Sequence, residues 1–434
     1  IMMAVIKSLR NIGHNKGQLL KDSFWAVFGN AVGKGLLLLA GIAVARFLGR
    51  DSYGEYGLIR NTILTIGIFS TFGIGYTAKK FISQCMAKFP DRIFLIYHIL
   101  IKITLIASIV ISALIFTFAR QLAVFLENAP LATAIRMCAI IIVFNALTFT
   151  QNAILCGFKE FKKVAINNGW SGIVTFVSSA SLAYWYGFDG ALYALLISQL
   201  FNSIINYISI RSITTKINKV VIPVQEKKKI QKEIIIFSFP IALHESLYFV
   251  ITWFFNFVII KFADYGQLGL YNAACQWTVV ILYIPSVLRN VTLSYLTSTA
   301  NVSTEQEILK MMILSNFATS SVMCLIIMLL SGYIEGFYGV SFVGLRVVLC
   351  TLSLSTIFDC VGSVYEQGLI SKAKNWSLLS VNSIKNIGTI ILAIVLIHNM
   401  AITGALGLSI SRVAFSCMVV PALVYCYNNK NIRK

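Results

Sequence analysis

Apolar residues fill the chain in runs of roughly 20 or more, the length that carries an α-helix across the hydrocarbon core of a bilayer. Such runs cover about 23–47, 57–78, 94–119, 131–156, 164–186, 190–210, 234–260, 268–297, 311–331, 343–369, 376–398 and 401–427. Polar residues interrupt them only briefly, so the pattern predicts twelve spanning helices. The longest interruption is 211–233, RSITTKINKVVIPVQEKKKIQKE, which is basic and carries Pro223. It predicts a linker between an N-terminal six-helix lobe (1–210) and a C-terminal six-helix lobe (234–434). The remaining loops are too short for a separate soluble domain, so any function must live between the helices.

The two lobes repeat. Arg46, Phe47, Gly54 and Tyr56 line up without a gap on Lys261, Phe262, Gly269 and Tyr271, about 215 residues later. Gly157 pairs with Gly368, and Gly190 with Gly404, at nearly the same offset. A membrane chain with similar halves suits alternating access, in which two bundles rock about a central site.

Composition supports lipid as the solvent. Of 434 residues, 58% are hydrophobic and 12% charged, where a soluble protein carries about 25% charged residues. The net charge of +20 suggests nucleic acid until its distribution is considered. With alternate loops assigned to opposite sides, nearly all loop Lys and Arg fall on one side, and the other holds only Arg46, Arg50, Arg120 and Lys261. The positive-inside rule then puts both termini in the cytoplasm, as an even number of spans requires. The polar stretch before the first span is not expected to be a cleaved signal. The nine cysteines are scattered, form no CxxC pair and read as small core residues.

The run ARFLGRDSYGEYGL, followed by a helix ending GIGYTAKKFISQ, resembles the opening of Wzx-type polysaccharide-lipid flippases. These belong to the multidrug/oligosaccharidyl-lipid/polysaccharide exporter superfamily, whose fold is shared with MATE transporters. ILCGFKEFKKVAINNGW and WYGFDGALYALLISQL resemble that family's junctions between helices 4 and 5 and between helices 5 and 6. The C-terminal lobe departs from the pattern. Ala263 and Asp264 stand where the first copy has Leu48 and Gly49, so its first hairpin is expected to be shaped differently. The resemblance implies an all-α, MATE-like, V-shaped membrane protein with a central cavity, in the bacterial inner membrane. It also implies the cargo: an undecaprenyl-pyrophosphate-linked oligosaccharide, such as an O-antigen repeat unit, moved from the cytoplasmic to the periplasmic leaflet. Membrane lipids, a polysaccharide polymerase and chain-length machinery are the implied partners. No catalytic residue, cofactor or metal is implied.

Charges inside the spans are the candidate chemistry. Arg60, Lys102, Arg136 and Arg346 lie near span ends and are expected to snorkel to the interface. Lys34, Arg289, Lys385 and Arg412 lie deeper, where facing lipid would cost each on the order of 3 kcal/mol. The internal acids Glu245, Asp359 and Glu366 are too few to neutralise them. Two readings stand. Lys34, Arg289, Lys385 and Arg412 line a wet cavity that holds the anionic head of a cargo, or they form structural ion pairs between helices. His244 and Glu245, just after Pro240, and Asp359 are candidates for a coupling proton or ion. The alternative is that they only bond neighbouring helices. Asn30, Asn145, Gln151, Asn256 and Gln276 are intramembrane amides able to meet sugar hydroxyls or to hold helices together. Trp253, Trp277, Tyr248, Tyr271 and Tyr283 could stack on sugar rings or simply fill the core.

Three other functions compete. A MATE-type exporter of cationic drugs would want an acidic cavity. A flippase for the peptidoglycan lipid precursor often carries further helices. A membrane glycan polymerase would be expected to hold a large outer loop. The outer loops are short, so the chain is not expected to be an enzyme, and no GxxxxGK[ST] phosphate loop occurs, so it is not expected to drive itself with ATP.

Overall fold

The computed structural model describes residues 16–71, 73–126, 128–215, 223–286, 302–372, 374–399 and 402–429. The described chain folds into α1 (Lys16–Thr71), α2 (Ile74–Lys88), α3 (Ile93–Phe125), α4 (Leu131–Gly157), α5 (Phe161–Thr214), α6 (Val224–Phe262), α7 (Tyr265–Ile281), α8 (Val302–Tyr338), α9 (Leu345–Ser371), α10 (Asn375–Asn399) and α11 (Gly404–Asn428). No strand occurs among the described residues. The hydrocarbon core offers backbone groups no water, and a helix satisfies them within one segment. The most apolar stretch of α3 has a mean hydropathy of 2.6.

Eight helices among the described residues are long and apolar enough to cross a membrane. Two of them, α1 and α5, are each a pair of spans merged across a break, at Gly49 and Gly187. All twelve expected segments are helical over their described residues, apart from a few terminal positions and the turns at Gly73 and Leu282. The chain is a multi-pass membrane protein.

The expected linker is shorter than its polar sequence suggests. α5 continues to Thr214 and α6 begins at Val224. Pro223 stands just ahead of α6, where its missing N–H is no loss, and its carbonyl accepts the Lys227 N–H at 3.0 Å. Glu226 lies in the first turn, where the helix dipole favours an acid. The segment EKKKIQKE is therefore solvated helix rather than loop.

By packing, the chain divides into two compact units that follow contact rather than chain order. The N-unit takes the chain up to Phe47 together with Tyr56–Phe254; the C-unit takes Leu48–Glu55 and the chain from Phe255 onward. This differs from a cut at 210/234 in two places. The first part of α6 belongs to the N-unit because Ile230 and Ile234 enter the same buried cluster as Ile74, Ile82 and Ile154. Thr77 and Ser238 also share a hydroxyl–hydroxyl bond of 2.8 Å, and Arg92 pairs with Glu226. In the C-unit, Val364, Leu369, Val381 and Leu423 form part of the core of α9, α10 and α11. The Glu335 carboxylate accepts the Gly344 and Arg346 N–H groups at 3.0 Å each, capping the start of α9.

Residues 48–55 join the C-unit through the repeated glycines. A Cβ on Gly54 would overlap the Tyr265 carbonyl, and one on Gly269 would overlap the Arg50 carbonyl. The 215-residue offset exchanges these two contacts. Such reciprocity is what a local two-fold relation between like elements produces. The hairpin breaks differ, as Ala263 and Asp264 led one to expect. Gly49 breaks α1 with φ 73° and ψ 172°, a region almost reserved for glycine. Asp264 keeps an ordinary extended backbone (φ −151°, ψ 172°), and its carboxylate accepts the Gln267 N–H at 2.7 Å as a helix cap.

Candidate functional site

Among the described residues, two polar sites bear on function, one in each unit. That of the N-unit is a cavity of about 350 Å³ between the first and second spans of α1, α4 and both spans of α5. Lys34 and Arg60 line it with Tyr56, Asn145, Asn168, Ser171, Thr175, Ser179, Ser198, Gln199 and Asn202. No acidic side chain lines it among the described residues. Helical spacing produces this wall. Asn168, Ser171, Thr175 and Ser179 recur every three or four positions, so they share one face of α5. Ser198 and Asn202 do the same on its second span. The result is two fixed positive charges among hydroxyls and amides, suited to an anionic, hydroxylated ligand. The volume lies within the usual range for a small-molecule site and takes part of an oligosaccharide rather than all of it.

The C-unit site is a charge cluster. Asp359 on α9 meets Lys385 on α10, with Nζ to Oδ1 at 2.5 Å. The Ser416 hydroxyl on α11 donates to the same oxygen at 2.8 Å. The Arg412 guanidinium, also on α11, stands 3.9 Å from Oδ2 and donates to the Tyr271 hydroxyl of α7 at 3.2 Å. The three charged side chains are 18–24% exposed, so the cluster is largely but not wholly withdrawn from solvent. Two cations around one carboxylate leave a surplus positive charge.

Of the deep cations expected from the sequence, Lys34 thus lines the N-unit cavity, while Lys385 and Arg412 converge on Asp359. Arg289 lies outside the described residues, as do the side chains of His244 and Glu245. Arg60 was expected to snorkel and instead lines the cavity, because it falls on the face of its span that meets α4 and α5. Asn168, Gln199 and Asn202 were not singled out from the sequence; the three-to-four spacing of polar residues in α5 was the available signal. Asn167 next door is structural, donating to Asn206 Oδ1 at 2.8 Å and Ser209 Oγ at 3.0 Å. Two of the aromatic candidates use their polar ends internally, and the side chain of Tyr248 lies outside the described residues. Trp253 Nε1 donates to Thr62 Oγ1 at 3.0 Å and Trp277 Nε1 to the Tyr338 hydroxyl at 3.2 Å.

Comparison with known proteins places this architecture. No curated protein matches the chain in sequence. Among solved structures, an inward-facing multidrug resistance MATE family transporter of the MOP superfamily superposes with a TM-score of 0.75 at 16% identity, covering 93% of this chain and 99% of that one. The lipid II flippase MurJ in an inward closed conformation gives a TM-score of 0.73 at 16% identity, covering 94% and 88%. At such identity the likeness shows the fold, which is MATE-like. The sequence itself matches the polysaccharide biosynthesis protein family over residues 19–292. With most of its length in that match, the chain belongs to the polysaccharide biosynthesis protein family.

Proposed function

We propose that the protein is a flippase for an undecaprenyl-pyrophosphate-linked oligosaccharide, carrying it from the cytoplasmic to the periplasmic leaflet of a bacterial inner membrane by alternating access. Both termini lie in the cytoplasm in this reading, and the two six-helix lobes move about the cargo. The observation that carries it is the N-unit cavity, where Lys34 and Arg60 stand among amides and hydroxyls with no acid in the lining. A glycan offers hydroxyls to that wall, and a pyrophosphate or an acidic sugar offers the negative charge. Lys385 and Arg412, with their surplus charge, are proposed contacts for an anionic group in the C-unit, and Arg289 joins them on sequence grounds. His244 and Glu245 are the proposed carriers of a coupling proton or ion, with Asp359 as a third. A cationic drug would meet repulsion in the N-unit cavity, which disfavours the drug-exporter reading.

The test is glycan export in cells that depend on this chain. Lys34→Ala and Arg60→Ala should leave lipid-linked oligosaccharide stranded on the cytoplasmic leaflet at near-normal protein abundance. Normal export by both variants would sink the reading. Resistance to cationic drugs conferred by the wild-type chain, with no glycan phenotype, would favour the exporter instead.

A further inference from the structure

We propose that Asp359 is a resident counter-ion, holding Lys385 and Arg412 in the empty protein and giving way to a diphosphate that binds both cations. The proposal rests on the flippase reading only for the source of the diphosphate.

The geometry is lopsided. Asp359 Oδ1 accepts two hydrogen bonds, from Lys385 at 2.5 Å and Ser416 at 2.8 Å. Its other oxygen faces Arg412 NH2 at 3.9 Å, beyond hydrogen-bond distance. The carboxylate is committed to the ammonium, and among the described residues the guanidinium hydrogen-bonds the Tyr271 hydroxyl and the Cys275 thiol. A planar guanidinium binds best through two parallel N–H···O bonds, which one carboxylate oxygen at this distance does not supply and a phosphate does. The charge count points the same way. One carboxylate cannot neutralise two largely buried cations, and a buried surplus charge is costly. A diphosphate brings more negative charge than Asp359 and enough acceptors for Lys385 and Arg412 together. The site is also reachable, since Lys385 and Arg412 are 21% and 24% exposed. The cations stand on α10 and α11 and Tyr271 on α7, whereas Asp359 stands on α9, so the carboxylate side chain can turn aside while the cations remain. Ser416 belongs to the device, because its hydroxyl steadies the carboxylate in its clamped position.

Inorganic pyrophosphate, titrated calorimetrically into the purified full-length chain in detergent, tests this without transport. Asp359→Asn keeps the shape of the side chain and removes its charge, and it should bind pyrophosphate about tenfold more tightly than wild type. Adding Arg412→Ala or Lys385→Ala to that variant should abolish the gain. Unchanged or weaker binding by Asp359→Asn overturns the proposal. If that variant does not fold, Ser416→Ala takes its place: loosening the clamp should tighten binding by about two- to threefold, and no change overturns the idea equally. Glycerol phosphate is the control for phospholipid head groups; an equal gain for it would overturn the assignment to a diphosphate. Failure of the Lys34 and Arg60 export test would leave these binding results standing, so the two readings fail separately.

Discussion

The N-unit cavity and the C-unit cluster fall at corresponding positions of the sequence repeat, and both hold two cations, but they balance that charge differently. The offset that carries Tyr56 onto Tyr271 also carries Arg60 onto Cys275, and that of Gly190 and Gly404 carries Ser198 onto Arg412 and Asn202 onto Ser416. Tyr56, Arg60, Ser198 and Asn202 line one cavity. In the other copy Arg412 bonds Tyr271, and Ser416 bonds the carboxylate that Arg412 faces. Each copy thus sets one arginine beside a tyrosine, drawn from different spans of the repeat. The N-unit sets its cations in a cavity lined by neutral polar groups. The C-unit supplies an internal carboxylate, so its cations are half satisfied before any ligand arrives. The repeat keeps the reciprocal close approach at Gly54 and Gly269 but not the charged positions, as expected when fold and site are separate constraints.

That contrast makes unequal predictions for equivalent residues. The largest effect should come from the shared scaffold, where the copies ought to behave alike. Gly54→Val and Gly269→Val each drive a side chain into a backbone carbonyl, at a cost of about 3 kcal/mol or more. Both variants should be depleted from the membrane to a similar degree in quantitative blots. A tolerated substitution at one glycine would break the reciprocity of the two contacts.

The charged sites should then part company. Removing the carboxylate with Asp359→Asn leaves Lys385 and Arg412 without their counter-charge and should lower stability by about 2 kcal/mol, less than for a fully buried pair. Arg60→Ala removes a cation that no acid in the cavity lining balances, so its thermal unfolding should shift by no more than about 0.5 kcal/mol. Its glycan export should nonetheless be lost, and Arg60→Lys should keep part of it. Equal destabilisation of both variants would mean that Arg60 is a structural ion and that the two sites differ less than their linings suggest.

The sequence made the scaffold far more legible than the site. Lipid imposes long apolar runs, so the spans could be read from hydropathy, and the glycine register exposed the repeat. The union of Asp359 with Lys385 and Arg412 was not legible, because it depends on how α9, α10 and α11 face one another and no local spacing records that. Arg60 was misplaced for a related reason. Its distance along the span suggested an interface, whereas the face it occupies on the helix decides its surroundings. The polar run 223–233 misled in another way, since solvated charge suits a surface helix as well as a loop.

The smallest single effect, at Asp264→Gly, comes from the two hairpin breaks, where the copies reach the same turn by different means. At Gly49 the backbone itself is in a conformation that L side chains avoid (φ 73°, ψ 172°), so Gly49→Ala should cost about 1–3 kcal/mol whatever surrounds it. At Asp264 the backbone is ordinary, and the contribution comes from the carboxylate that accepts the Gln267 N–H. Asp264→Ala should therefore cost about 1 kcal/mol, and Asp264→Gly only a few tenths, because glycine is itself a fair N-cap. Thermal unfolding of the three purified variants in one detergent should rank them in that order. If Asp264→Gly proved as damaging as Gly49→Ala, the aspartate would be needed for more than its cap, and the second hairpin would owe its shape to charge rather than to helix-end hydrogen bonding.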